Sequence, residues 1–337
     1  TAELSQDLTI LKKLTNRIRL YSALENNEII ALAAKQNMQV TAGAWIGSDD
    51  YANKREIAAL KEKIKYYGNI ERAIVGNESL LRNDLPVEQL ITYIEDVRKN
   101  ANVPISTAEP WHVWLKNPEL VKHVDYIAVH LLPYHEGVPV ERAVDYAIER
   151  YKELMEAYPR KKIVITEIGW PSHGPAIGES VANEVNQAKF VREFLAKNAL
   201  QDYDYYLMEA FDQPWKVKLE GWAGPYWGMF NAERHEKYSL QGAVPEDNRW
   251  VAKATWATLL AFLPIIFIGW RFKEWGFGGV TSMAILFQAC ITTLVVAWNL
   301  PGDYYFTLRD FIVLGGLILG MALTSAVLMI YAVEFSE

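Results

Sequence analysis

Lys161–Ser172 reads KKIVITEIGWPS, and the fold turns on how this stretch is built. Two lysines lead into Ile163, Val164 and Ile165, a β-branched run of the kind that parallel sheets bury on both faces. The run ends at Thr166-Glu167, and Gly169-Trp170-Pro171 then breaks it. A carboxylate at the C-terminal tip of a buried strand does little structural work. It is well placed for chemistry if the strand belongs to an α/β barrel, whose reactions take place at that end. A second stretch has the same grammar: Ala73-Ile74-Val75 runs into Gly76-Asn77-Glu78. Two strands that each deliver a glutamate to one rim predict a carboxylate pair. Taken singly, either glutamate reads equally as a buried acid paired with Lys or Arg.

Working outward, strands are expected at residues 17–22, 39–46, 72–78, 104–111, 126–132, 162–168 and 205–211. Helical patterns fall between them, at residues 2–15, 26–36, 53–67, 87–99, 118–122, 141–158 and 181–197. This alternation predicts a parallel sheet of the α/β class, and its length predicts a (β/α)8 TIM barrel. Seven strands are legible and the first element is a helix. The first strand is therefore expected to be missing from this chain or supplied by another segment.

From Ala254 onward the character changes. Ala254–Trp270, Gly276–Gly302 and Phe311–Val333 carry no charged residue, and each approaches or exceeds the ~18–20 residues that cross a bilayer. The expected organisation is a barrel over residues 1–245 and a region of three transmembrane helices over 246–337. The spans hold almost no ionisable groups, which disfavours a transport pathway through them. The net charge of −7 excludes a nucleic-acid partner, which needs a basic face. Cys290, the only cysteine, lies in the second apolar run, so the barrel has no disulfide. No glycine-rich phosphate cradle is present, and His130 and His135 lack partners at metal-ligand spacing. Neither a cofactor nor a metal is expected.

VGNE at Val75–Glu78, TEIGWPS at Thr166–Ser172 and EAFDQPWK at Glu209–Lys216 sit at three strand ends in order. With these motifs, residues 1–241 resemble glycoside hydrolase family 17, the β-1,3-glucanases and glucanosyltransferases of the retaining (β/α)8 clan. The bacterial membrane-bound branch, which makes or remodels β-glucan, is the most similar part of that family. The resemblance implies Glu78 as general acid/base, Glu167 as nucleophile and Asn77 as a ligand for the sugar 2-hydroxyl. It also implies that Tyr21, Tyr134, Phe211, Gln213, Lys216 and Glu220 line the cleft. The implied partners are a β-glucan, membrane lipid and a glycosyltransferase domain or subunit beyond the C-terminus. The implied location is the inner membrane, multi-pass, with the barrel on the periplasmic side. Two departures stand out: the absent first strand, and a linker where a closing helix follows the last strand in the family.

The chemistry asks for one proton donor and one nucleophile or base on opposite sides of an oxocarbenium-like transition state. Retention places the carboxyls about 5–5.5 Å apart, and such a pair does not ionise fully before substrate binds, so one keeps its proton to higher pH. The resemblance gives that role to Glu78. Trp170 and Trp215, inside the motifs, are expected to stack on pyranose rings, with Trp222, Tyr226 and Trp227 as further acceptor surfaces; core packing is the alternative for each. Glu109 ends another strand and reads either as an orienting or as a structural acid. Competing functions are a non-catalytic glucan-binding module of a membrane glucan synthase and a transport subunit with a vestigial barrel. Transfer to a sugar acceptor is favoured over hydrolysis, because an anchored enzyme stays where acceptor ends are concentrated.

Overall fold

The computed structural model describes residues 2–25, 28–244, 250–271, 276–303 and 308–334. The chain separates into two compact units. One comprises residues 1–172, 176–182 and 186–240, and the other comprises 173–175, 183–185 and 241–337. The expected boundary at 245/246, Asn26 at the start of the second helix, and Glu337 lie outside the described residues.

In the first unit seven parallel strands follow one another in sequence order. They are β1 (Arg17–Arg19), β2 (Gln39–Ala44), β3 (Ile70–Asn77), β4 (Ile105–Pro110), β5 (Tyr126–Leu131), β6 (Lys162–Ile168) and β7 (Tyr205–Leu207). The intervening helices are α1 (Ala2–Leu11), α2 (Ile29–Lys35), α3 (Asp50–Tyr66), α4 (Val87–Arg98), α5 (Trp111–Lys116), α6 (Val140–Ala157) and α7 (Glu184–Gln201). A short α8 (Val217–Glu220) lies in the loop after β7. Local chemistry explains the boundaries. Asp49 caps α3 by accepting from the Tyr51 and Ala52 amides at 2.9 and 3.2 Å, and Ile57, Leu60 and Ile64 form its buried stripe. β5 is buried at every position, as a strand covered on both faces must be.

The winding is barrel-like, yet β1 and β7 do not pair with each other. Between them lies a cavity of about 1270 Å³ that all three residues of each edge strand line, with Leu4, Leu8 and Leu11 of α1 along it. The two edges are tied at their N-terminal ends. There Asp204 receives Arg17 at 3.0 Å, Arg72 at 2.9 Å and Lys162 at 3.0 Å. Burial raises the Asp204 carboxyl, but Arg72 and Lys162 outweigh it and hold the group below its ordinary value. Inside the sheet, Ile74, Ala108, Tyr126, Ala128, Val164 and Tyr206 form a packed layer, so this end is a core and not a pore.

Several boundaries differ from the sequence reading. The fourth strand stops at Pro110, and Trp111 opens α5, whose Trp114 donates its indole N–H to Ala128 O at 2.9 Å. β1 and β7 end three and four residues early, as expected of edges without a ladder partner on one side. The helix expected at 181–197 runs over Glu184–Gln201.

The second unit contains α9 (Trp250–Arg271), α10 (Gly276–Asp303) and α11 (Leu308–Glu334), one helix over each apolar run. Among the described residues, Phe277–Val295 is long and apolar enough to cross a membrane by length and composition, and Trp250–Leu263 is apolar over a shorter span. Large apolar side chains are exposed on all three helices, including Leu263, Phe277 and Ile312.

Candidate active site

The C-terminal ends of the strands converge on one acidic and basic cluster. β1 contributes Arg19, β3 Asn77 followed by Glu78, β4 Glu109, β5 His130 and β6 Glu167, while Glu209 follows β7. Glycine makes two of these strand ends possible. Gly76 adopts φ +90° where an added Cβ would meet Ser79 Oγ at 3.0 Å and Leu90 Cδ1 at 3.1 Å, and this bend turns Glu78 into the mouth. Gly169, just past Glu167, faces Met208 O so closely that a Cβ would lie 2.2 Å from it. Glu78 itself has φ +54°, a left-handed conformation that a non-glycine residue rarely adopts.

The carboxylate pair forms. One ligand atom each from Glu78, His130 and Glu167 lie within 4.8 Å of one another. His130, 2 % exposed, sits between the acids: Nδ1 is 2.8 Å from Glu78 Oε1 and Nε2 is 3.3 Å from Glu167 Oε1. Arg19 Nη1 lies 3.2 Å from His130 Nε2 and donates to Glu167 Oε1 at 2.9 Å and Thr166 O at 2.7 Å. A carboxylate only accepts, so His130 Nδ1 carries a proton and donates to Glu78. Arg19 Nη2 also donates to Asn77 Oδ1, leaving the amide nitrogen as the end of Asn77 that can meet a sugar hydroxyl. The three-residue cluster has a spacing that can hold a cation, but Arg19 already supplies positive charge to it.

Electrostatics revise one expectation. Burial raises the Glu78 carboxyl, but the hydrogen bond from His130, its charge, and those of Arg82 and His135 outweigh burial and hold Glu78 below its ordinary value. Glu78 therefore does not keep its proton to higher pH in the absence of substrate. Two other acids do: burial pushes Glu109 and Glu209 each up to about 7. Glu109 is fully buried and accepts from the Leu80 and Leu81 amides at 2.8 and 3.2 Å, bracing the turn that follows Glu78. Tyr21 is pushed well up, first by burial and then by the Glu167 charge beside it, and the Arg19 guanidinium lies 4.5 Å from its ring centre.

The remaining expected residues divide. Lys216 donates to Glu209 Oε2 at 2.8 Å, Gln213 donates to the same oxygen, and Glu220 lies 3.8 Å from Lys216. Trp215 and Trp222 are about three-fifths exposed, at 60 and 59 %. Phe211 is half-buried between Phe230 and Arg234. Trp170, Tyr134 and Trp227 contradict the cleft reading. Each is at most 1 % exposed; Tyr134 packs edge-on against both tryptophans, and the Trp170 indole donates to Val181 O. Their rings form an aromatic core with no face open to a sugar. The sequence reading gives Arg19 and Glu209 no role and weighs His130 only as a metal ligand. The signal for Arg19 was an arginine inside the strand RIRLYS, and for His130 a polar residue near the end of the otherwise apolar run YIAVHL.

Comparison with known proteins agrees with this arrangement. The chain is 31 % identical over 272 residues to a protein of Aspergillus flavus named probable glucan endo-1,3-beta-glucosidase btgC, covering 70 % of this chain and 39 % of that protein. It is 29 % identical over 255 residues to the glucan 1,3-beta-glucosidase of Schizosaccharomyces pombe, covering 69 % and 79 %. The chain thus spans about two-fifths of the length of the Aspergillus relative, at 39 %. Among solved structures, the glycoside hydrolase family 17 β-1,3-glucanosyltransferase of Rhizomucor miehei superposes with a TM-score of 0.66 at 27 % identity, over 72 % of this chain and 92 % of that one. An active-site mutant of the same enzyme, in complex with laminaritriose, matches at 26 % identity with the same TM-score of 0.66 and the same coverage. A family model described as the BtgE/BtgC glycoside hydrolase domain matches residues 1–228, and the chain belongs to that family.

Proposed function

We propose that this chain is a membrane-anchored retaining glycosidase and transglycosylase acting on β-1,3-glucan by double displacement. The observation that carries the reading is the carboxylate pair, with ligand atoms of Glu78 and Glu167 within 4.8 Å of each other. Such close approach of one oxygen from each acid supports the retaining arrangement, in which the carboxyl groups stand about 5–5.5 Å apart. The printed names of the relatives support β-1,3-glucan as the substrate class.

Glu167 attacks the anomeric carbon, and the glycosyl–enzyme bond forms as the bond to the leaving oxygen breaks. Glu78 gives its proton to that oxygen. A water or sugar hydroxyl then returns a proton to Glu78 while its oxygen displaces Glu167. Arg19 holds Glu167 aimed, and the Asn77 amide donates to the 2-hydroxyl, an interaction that strengthens in the transition state. A glucan covering the cleft strips water from Glu78, which favours its protonated form and loads the acid only when substrate is present. Exposed Trp215 and Trp222 hold the acceptor sugar near the intermediate, favouring transfer over hydrolysis.

The barrel occupies residues 1–245 and closes to eight strands through a further strand in the opening between β1 and β7. Residues 246–337 form three transmembrane helices in the inner membrane, with the barrel on the periplasmic side and a glycosyltransferase domain or subunit as neighbour. Labelling of a cysteine placed at Lys218 from the cytoplasmic side alone would sink this topology.

The activity is tested with defined β-1,3-gluco-oligosaccharides at millimolar concentration and the detergent-solubilised protein. Products longer than the starting sugar demonstrate transfer, and exclusively shorter ones leave hydrolysis. Glu167→Gln is expected to abolish turnover without unfolding. Glu78→Gln retains the first step on aryl glycosides, which need no proton, and azide rescues Glu78→Ala. Wild-type rates in both glutamine variants would show that the site is elsewhere.

A further inference from the structure

Glu209 stands apart from the two catalytic carboxylates and has a half-satisfied side chain. It is 8 % exposed, and its Oε2 accepts from both Lys216 Nζ and Gln213 Nε2. Its Oε1 is buried and has no hydrogen-bond partner among the described residues. Leaving a buried carboxylate oxygen unpaired is costly, so such an atom marks a place where a donor arrives from outside. The donor's direction is given by the surroundings. Glu209 follows β7 on the strand-end rim that also carries Arg19 and Glu167, whose carboxylate Arg19 holds. The charge of Glu209 is felt at Tyr21, and that of Glu167 at both Tyr21 and Lys216, so one group of side chains spans the two acids.

Building on the glycosidase reading above, we propose that Glu209 is a specificity-determining residue whose Oε1 accepts a hydrogen bond from one hydroxyl of the glucosyl unit lodged beside Glu167. A hydroxyl both donates and accepts. Here it donates to Glu209 Oε1, and the Lys216 ammonium, already 2.8 Å from Oε2, donates to the hydroxyl oxygen. This carboxylate and ammonium pair reads an alcohol at a fixed position and rejects a sugar lacking it, because the buried oxygen then stays unpaired. Burial pushes Glu209 up to about 7 despite Lys216, consistent with a carboxyl short of donors in the free protein. The ligand class is a neutral hexopyranose.

The test is a cycle between one substitution and one missing hydroxyl. A series of aryl laminaribiosides is prepared, each lacking a single hydroxyl on the sugar that bears the leaving group. kcat/KM is measured for the wild type and Glu209→Gln, with thermal unfolding to confirm both fold. Wild type is expected to lose about 10- to 100-fold on one analogue. Glu209→Gln loses a similar factor on the complete substrate and nothing further on that same analogue. Penalties that simply multiply for every analogue, or a Glu209→Gln protein within about twofold of wild type, overturn the proposal. If the glutamine variant does not fold, Glu209→Asp withdraws the carboxylate while keeping its charge beside Lys216. The same cycle is run on binding of the analogues to the Glu167→Gln protein by calorimetry. A wild type that binds these sugars without turning them over defeats the catalytic reading alone, and the binding cycle then decides on Glu209. A protein that binds none of them defeats both.

Discussion

Replacing Arg19 with methionine tests the centre of the site most directly. Methionine keeps the reach of the side chain and removes every donor. Arg19 exposes only 4 % of its side chain and serves three acceptors: Glu167 Oε1 at 2.9 Å, Thr166 O at 2.7 Å, and Asn77 Oδ1. Removing one partner of a buried ion pair costs about 3–5 kcal/mol, because the other charge is left uncompensated. If that loss falls on the transition state, kcat/KM drops by roughly 10²- to nearly 10⁴-fold. Arg19→Lys restores a point charge without the planar fork, so it recovers part of the loss by pairing with Glu167 while Asn77 stays unheld. The assay is kcat/KM on laminari-oligosaccharides for both variants, with denaturant melts to separate lost stability from lost rate. A folded Arg19→Met protein within about threefold of wild type would refute the assignment of Arg19 to Glu167's alignment.

Two further outcomes follow from the geometry. Gly169→Ala forces a Cβ to within 2.2 Å of Met208 O, so the ends of β6 and β7 must part. The expected cost is about 1–3 kcal/mol in denaturant melts, with a loss of activity larger than stability alone explains. Glu109 is raised from 4.5 to about 7 in the fold, so its contribution to stability is fully present below about pH 4.5 and is lost as pH rises through about 7. Such a shift amounts to about 3 kcal/mol, and Glu109→Gln is expected to flatten the fall in unfolding free energy measured across that window. Glu209, also near 7, acts in the same direction, so the slope shrinks without vanishing.

The strands that carry the site were legible because burial on both faces leaves long β-branched runs: Ala73–Val75 and Ile163–Ile165 announce themselves, and each ends in a glutamate. The edges were less so. RIRLYS and YYLMEAF read as full strands from composition, yet each lacks a second ladder neighbour and stops early. Helix α5 was hidden because Pro110 is extended and Trp111 looks like a strand residue until its neighbour Trp114 is seen reaching Ala128. Glu78 and Glu167 were placed by their strand ends, while the residues that govern them were not. His130 and Arg19 lie 52 and 148 positions away from the carboxylates they touch, and no local pattern encodes such a meeting. The aromatic residues failed for a related reason. Trp170 and Trp215 look alike in the sequence, but one is walled in by Tyr134 and Phe190 and the other stands in solvent.

The Asp204 cluster has a mechanical consequence. Arg17 on β1 joins the residue just before β7 at the floor of the sheet, far along the strands from Glu167. The two margins are thus stitched at the bottom, and the width at the top is governed by what lies between Tyr21 and Gln213. Arg19 on one margin and Glu209 on the other both line the opening above that base, so whatever segment seats there borders both sides of the site.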